Sequence, residues 1–66
     1  MISYDPLWKI LIDKKITKTE LREMVGFSTN TLAKLSKNES VTLSILEKIC
    51  LNLNCKIEDV VEIKKE

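Results

Sequence analysis

The sequence predicts an all-α domain of five short helices, with terminal segments whose alternation suits two short paired β-strands. Three observations lead there. Apolar residues recur at three- and four-residue spacing in five successive stretches. Four of those stretches follow an Asp, Ser or Thr placed where a helix N-cap belongs. The chain has one glycine and one proline in 66 residues, so little of it is linker. That length makes one domain, residues 1–66, and a chain so short buries only about 60% of its unfolded surface, so the helices must pack well.

Ile2 and Tyr4 flank Ser3 in an apolar–polar alternation that suits a short strand. Asp5 is the expected cap of the first helix, with Pro6 at its first position, where a missing N–H costs nothing. Leu7, Trp8, Leu11 and Ile12 form its core stripe, with Ile10 on the flank, and the helix ends near Lys14. Trp8 has only aliphatic neighbours on that stripe and reads as a core anchor. Ile16 precedes Thr17, which caps the second helix. Glu20, three residues on, completes a capping box, and Ile16 is set to staple onto Leu21. Leu21, Met24 and Val25 share a face, and Gly26 ends the helix because glycine reaches the left-handed region without a Cβ penalty. Phe27 plugs the turn. Ser28 caps a third helix over residues 28–36, buried at Leu32 and Leu35. Its other face carries Thr29, Asn30, Ala33 and Lys34, with no acid among them.

Lys37 to Ser40 form a polar connector in which Asn38 tolerates a left-handed conformation. Thr42 caps the fourth helix, whose stripe is Leu43, Leu46, Ile49, Cys50 and Leu53, with Asn54 as its left-handed cap. Ile57, Val60 and Val61 suggest a last short helix, and Glu62 to Glu66 alternate weakly, as a strand pairing with the N-terminal one would.

Composition removes several classes of function. Histidine is absent, which takes away the commonest general base and metal ligand together. Two cysteines cannot complete a four-ligand zinc site, no serine has an evident base partner, and no glycine-rich phosphate loop occurs. No enzymatic activity, metal or cofactor is expected. No unbroken apolar run exceeds three residues and the N-terminus lacks a basic region before an apolar one, so neither membrane span nor signal peptide is expected. A cytoplasmic protein follows, with Cys50 and Cys55 kept as core thiols.

The net charge is only +1, but its distribution is uneven: residues 14–37 sum to +4, residues 1–13 to −1 and residues 38–66 to −2. The positive field therefore lies on the two-helix unit at 17–37.

That unit resembles the helix-turn-helix of the lambda-repressor-like family, also called Cro/cI-type or XRE. Lys18, Leu21, Gly26, Phe27, Ser28, Thr31, Leu32 and Leu35 fill the family's pattern in register, and LSILEKICLNLNC at 43–55 resembles its fourth helix. The match spans roughly residues 7–61. It departs at Lys18, where the family often has glutamine, and at Arg22, where a small residue is usual. A charged Arg22 at the helix crossing must run its stem outward, or the two helices sit slightly apart. The resemblance implies a compact five-helix fold and a sequence-specific DNA-binding transcriptional regulator, a repressor, whose third helix enters the major groove of double-stranded DNA.

By that alignment Thr29, Asn30, Ala33 and Lys34 face the bases. Asn pairs with adenine, Lys with guanine, and Thr and Ala meet thymine methyls. Lys18, Ser28, Lys37 and Asn38 are the expected phosphate contacts. Relatives usually dimerise, which implies a homodimer joined through the fifth helix or the terminal strands. The competing expectation is a protein-interaction module, such as an antitoxin or anti-regulator, that binds a protein partner through the same fold.

Overall fold

The structure, a computed structural model, describes residues 1–65. A two-residue strand β1 (Ile2–Ser3) leads into α1 (Asp5–Lys14), α2 (Lys18–Val25), α3 (Thr29–Ser36) and α4 (Leu43–Leu53). A single 3₁₀ turn follows at Ile57–Asp59, and then strand β2 (Glu62–Ile63). The two strands pair antiparallel, Ile2 opposite Ile63 and Ser3 opposite Glu62. Glu66, the last residue of the expected terminal alternation, lies outside the described residues.

The five-helix expectation is corrected to four α-helices and this one turn. Asp59 N–H donates to Lys56 O and Val60 N–H to Ile57 O, both at 3.0 Å with the three-residue step of a 3₁₀ turn. Only Val61 N–H, bonded to Ile57 O at 3.1 Å, takes the α-helical step, and the chain then enters β2 two residues before a second turn could close. The turn still delivers Val60, fully buried, to the core.

The local punctuation forms as the sequence indicates. Thr17 Oγ1 accepts from Glu20 N–H while Glu20 Oε1 accepts from Thr17 N–H, each at 3.0 Å. Gly26 ends α2 with φ of 88°. Ser28 and Thr42 cap α3 and α4 through the N–H groups of Thr31 and Ile45. Asn54, at φ 54°, ends α4 with its N–H on Cys50 O. One cap differs: Tyr4, not Asp5, occupies the N-cap of α1 and makes no side-chain cap bond. The carboxylate of Asp5 is instead drawn to Lys64, 3.0 Å away. The end of α1 also carries a left-handed residue, Lys15 at φ 58°, closed by Ile16 N–H on Leu11 O at 2.9 Å.

The core comprises Tyr4, Leu7, Leu11, Leu21, Phe27, Leu35, Leu46, Ile49, Leu53 and Val60. Cys50 and Cys55, free thiols, pack against it half-buried, and burial pushes the Cys55 thiol up. Three stripe residues fall outside: Ile12 and Leu43 are 75% and 74% exposed, and Met24 is 47% exposed. Each sits at the edge of its apolar stripe, where a short helix with few neighbours is not covered. Alternation places Tyr4 in a strand, yet it is the residue that joins the N-terminus to the connector after α3. Its hydroxyl donates to Glu39 O at 2.8 Å and its N–H to Asn38 Oδ1 at 3.1 Å.

The ends are held by polar contacts. Lys64, which follows β2, bonds Asp5 at 3.0 Å, and the N-terminal amine donates to Lys64 O at 2.6 Å. The hydrogen bond from Lys64 and then its charge hold the Asp5 carboxyl below the usual range, and the same contact raises Lys64. A depressed carboxyl contributes stability above its unfolded pKa and loses it as pH falls through the folded one. The raised Lys64 contributes below its unfolded pKa and loses it as pH rises through the folded one. Both groups are exposed, so the effect is small and screened by salt. Thermal melts of wild type and Asp5→Asn should therefore differ near neutrality and converge below the carboxylate range. Curves that stay parallel into acid would show that the pair contributes nothing.

Candidate nucleic-acid interface

α3 is an eight-residue helix held from one side only. Leu35 is fully buried and Leu32 half-buried, whereas Thr29, Asn30, Ala33 and Lys34 are all exposed. At 100° per residue those four fall on one arc opposite Leu35. The four expected base-facing residues are thus brought onto one continuous solvent-facing surface. No aromatic or large aliphatic side chain lies within that arc.

The N-terminus of α3 is fixed by Ser28. Its Oγ accepts from Thr31 N–H at 3.1 Å and donates to Thr31 Oγ1 at 3.2 Å. The backbone N–H groups of Thr29 and Asn30 lie in the first turn, ahead of the first bond of the helical ladder, Leu32 N–H to Ser28 O. This end of α3 carries partial positive charge and suits an anionic oxygen. Ser28 itself is committed to the cap, so what it offers this surface is the helix end it organises.

The other end of α3 closes as a Schellman motif around Asn38, at φ 57°. Glu39 N–H donates to Lys34 O at 2.9 Å and Asn38 N–H to Leu35 O at 3.3 Å. The side chain of Asn38 is half-buried. Its Oδ1 accepts from Tyr4, which leaves the amide N–H₂ as its available donor. Lys37, the residue before it, is exposed. Lys18 opens α2, and its Nζ comes to 3.5 Å from Ser36 Oγ, so the α2 and α3 candidates converge beside the C-terminal end of α3. Arg22 is half-buried, as a stem laid along the protein surface requires.

Among the described residues both ion pairs involve Lys64, at the opposite end of the chain. Among the described residues Lys18, Arg22, Lys34 and Lys37 therefore have no bonded carboxylate.

One contact at this face has no sequence precedent. The Lys18 ammonium sits 4.2 Å from the centroid of the Trp8 ring. Trp8 is half-buried rather than enclosed. It forms, with Leu11, Ile12, Ile16, Thr17 and Lys18, an open groove of about 250 Å³ between α1 and the start of α2. The sequence signals only an apolar stripe that holds both Trp8 and Ile12.

No group of three or more metal-ligating side chains occurs among the described residues, and no helix there is long and apolar enough to cross a membrane. No curated protein matches the chain. Among solved structures, the crystal structure of the transcriptional regulator VanUg (form II) is 52% identical. It superposes with a TM-score of 0.95 over 98% of this chain and 87% of that one. The sequence also matches the Cro/C1-type HTH DNA-binding domain over residues 6–66. A helix-turn-helix bearing an acid-free polar face, this breadth of sequence match and this likeness to a regulator agree, and the chain belongs to the Cro/C1-type helix-turn-helix family of DNA-binding regulators.

Proposed function

We infer that residues 1–66 form one domain that regulates transcription by sequence-specific binding of double-stranded DNA, with α3 in the major groove. The observation that carries this reading is the exposed arc of Thr29, Asn30, Ala33 and Lys34, backed by the buried Leu35. Asn30 pairs with an adenine edge and Lys34 with a guanine edge. Thr29 and Ala33 lie against thymine methyls. Lys18, Lys37, the amide of Asn38 and the N-terminus of α3 capped by Ser28 hold the sugar–phosphate backbone and set the register. VanUg's description as a transcriptional regulator supports the same role. Repression is the simplest outcome, because a cytoplasmic protein seated on its site excludes others by occupancy alone.

One recognition helix covers one half-site, so a homodimer with half-sites about 34–36 Å apart completes the reading. Met1, Ile57 and Ile63 are 62%, 45% and 75% exposed at the terminal strands and the 3₁₀ turn. This is the apolar surface that a second copy would cover.

Asn30→Ala should weaken binding to a site selected from a random oligonucleotide pool by about 1–3 kcal/mol, or roughly 5- to 150-fold, and relax preference at one base pair. Random duplex should bind the variant and wild type alike. Equal affinity of the wild type for selected and random DNA at moderate salt would sink the reading, as would retention of a stoichiometric protein partner with no DNA.

A further inference from the structure

Lys18 is the first residue of α2, at the end of a helix dipole that repels a cation. Left to itself its side chain would swing into solvent. Instead Nζ lies 4.2 Å from the Trp8 ring centroid on α1 and 3.5 Å from the hydroxyl of Ser36, the last residue of α3. The negative face of an indole attracts an ammonium, and the C-terminal end of α3 carries the opposite partial charge to the start of α2. Three helices thus meet at an exposed ammonium that its own helix end disfavours.

We propose that Trp8 is a positioning residue for DNA binding: its indole face, with Ser36, holds the Lys18 ammonium in place for a backbone phosphate. The proposal rests on the reading of Lys18 as a phosphate contact. An ammonium has three N–H donors. The ring faces one, Ser36 Oγ lies at the outer limit of hydrogen-bonding distance from another, and the exposed ammonium keeps a donor for a phosphate oxygen. A lysine that is already seated also loses less rotamer freedom on binding than one that must be captured from solvent. Trp8 therefore strengthens binding without adding charge and without reading sequence.

Two consequences separate this from a packing role. Trp8→Leu should weaken selected and random duplex by the same factor, about three- to tenfold, and leave the salt dependence unchanged, because every cation remains. Lys18→Met should weaken both and reduce the slope of log affinity against log salt by about 0.9. The deciding measurement is the double-mutant cycle. In the Lys18→Met background, Trp8→Leu should cost nothing further. An equal loss in both backgrounds would make Trp8 merely structural and overturn the proposal, as would full affinity of Trp8→Leu. Loss of DNA dependence on Lys18 altogether would overturn the phosphate reading as well. Trp8→Phe, which keeps a ring with a weaker quadrupole, should fall between wild type and Trp8→Leu, and it serves if the leucine variant does not fold. In free wild-type protein the Lys18 Hε resonances should be shifted upfield by the ring current, and their appearance at ordinary positions would overturn the proposal without any DNA.

Discussion

Leu35→Ala will remove about 2–5 kcal/mol of unfolding free energy. A chain of 66 residues holds roughly 3–10 kcal/mol in total, so the variant loses a large share of its stability. Leu35 is fully buried and is the residue by which α3 is held to the core. Truncation leaves a cavity under the helix that carries the exposed polar arc, and the helix is too short to stand alone. Leu43→Ala, by contrast, should stay within about 0.5 kcal/mol, because that side chain is 74% exposed. Urea titration followed by far-UV circular dichroism compares the two directly. Similar midpoints for Leu35→Ala and Leu43→Ala would refute the assignment of α3's anchor.

Asn38→Ala should cost about 2–5 kcal/mol although the residue lies in a connector. Two effects combine. Alanine at φ 57° meets a steric penalty of about 1–2 kcal/mol. Loss of Oδ1 also leaves the N–H of buried Tyr4 without its partner, at about 1–3 kcal/mol. Asn38→Gly separates them, since glycine accepts the backbone conformation but supplies no acceptor. It should recover about 1 kcal/mol relative to alanine. If the two variants melt together, the left-handed conformation contributes nothing. Asn38 joins the end of α3 to Tyr4, so its replacement loosens the helix end as well as deleting an amide donor.

The parts of this fold that could be read from the sequence are those closed within a few residues. The capping box of Thr17 and Glu20, the stop at Gly26, and the caps at Ser28, Thr42 and Asn54 each depend on neighbours at most four positions away. The left-handed conformation at Asn38 was legible for the same reason, but its partner was not. Tyr4 and Asn38 are 34 residues apart and meet only because the core brings them together. Ile12 and Leu43 were misplaced because spacing gives the direction of an apolar stripe and not its covered width. The last helix was overcounted because three apolar residues fit one 3₁₀ turn as well as two α turns. In the candidate site, the polarity of the α3 arc was plain in the sequence. The seat of Lys18 on Trp8 was hidden, since it depends on how α1 crosses the start of α2.

Gly26 carries one more implication. A Cβ built there meets no heavy atom within 4 Å, while φ stands at 88°. The turn between α2 and α3 therefore has room for a side chain and objects only to its handedness. A D-residue at that position would fit where every larger L-residue is strained. It would also narrow the unfolded ensemble that glycine leaves wide. What the helix-turn-helix demands at its corner is chirality, not smallness.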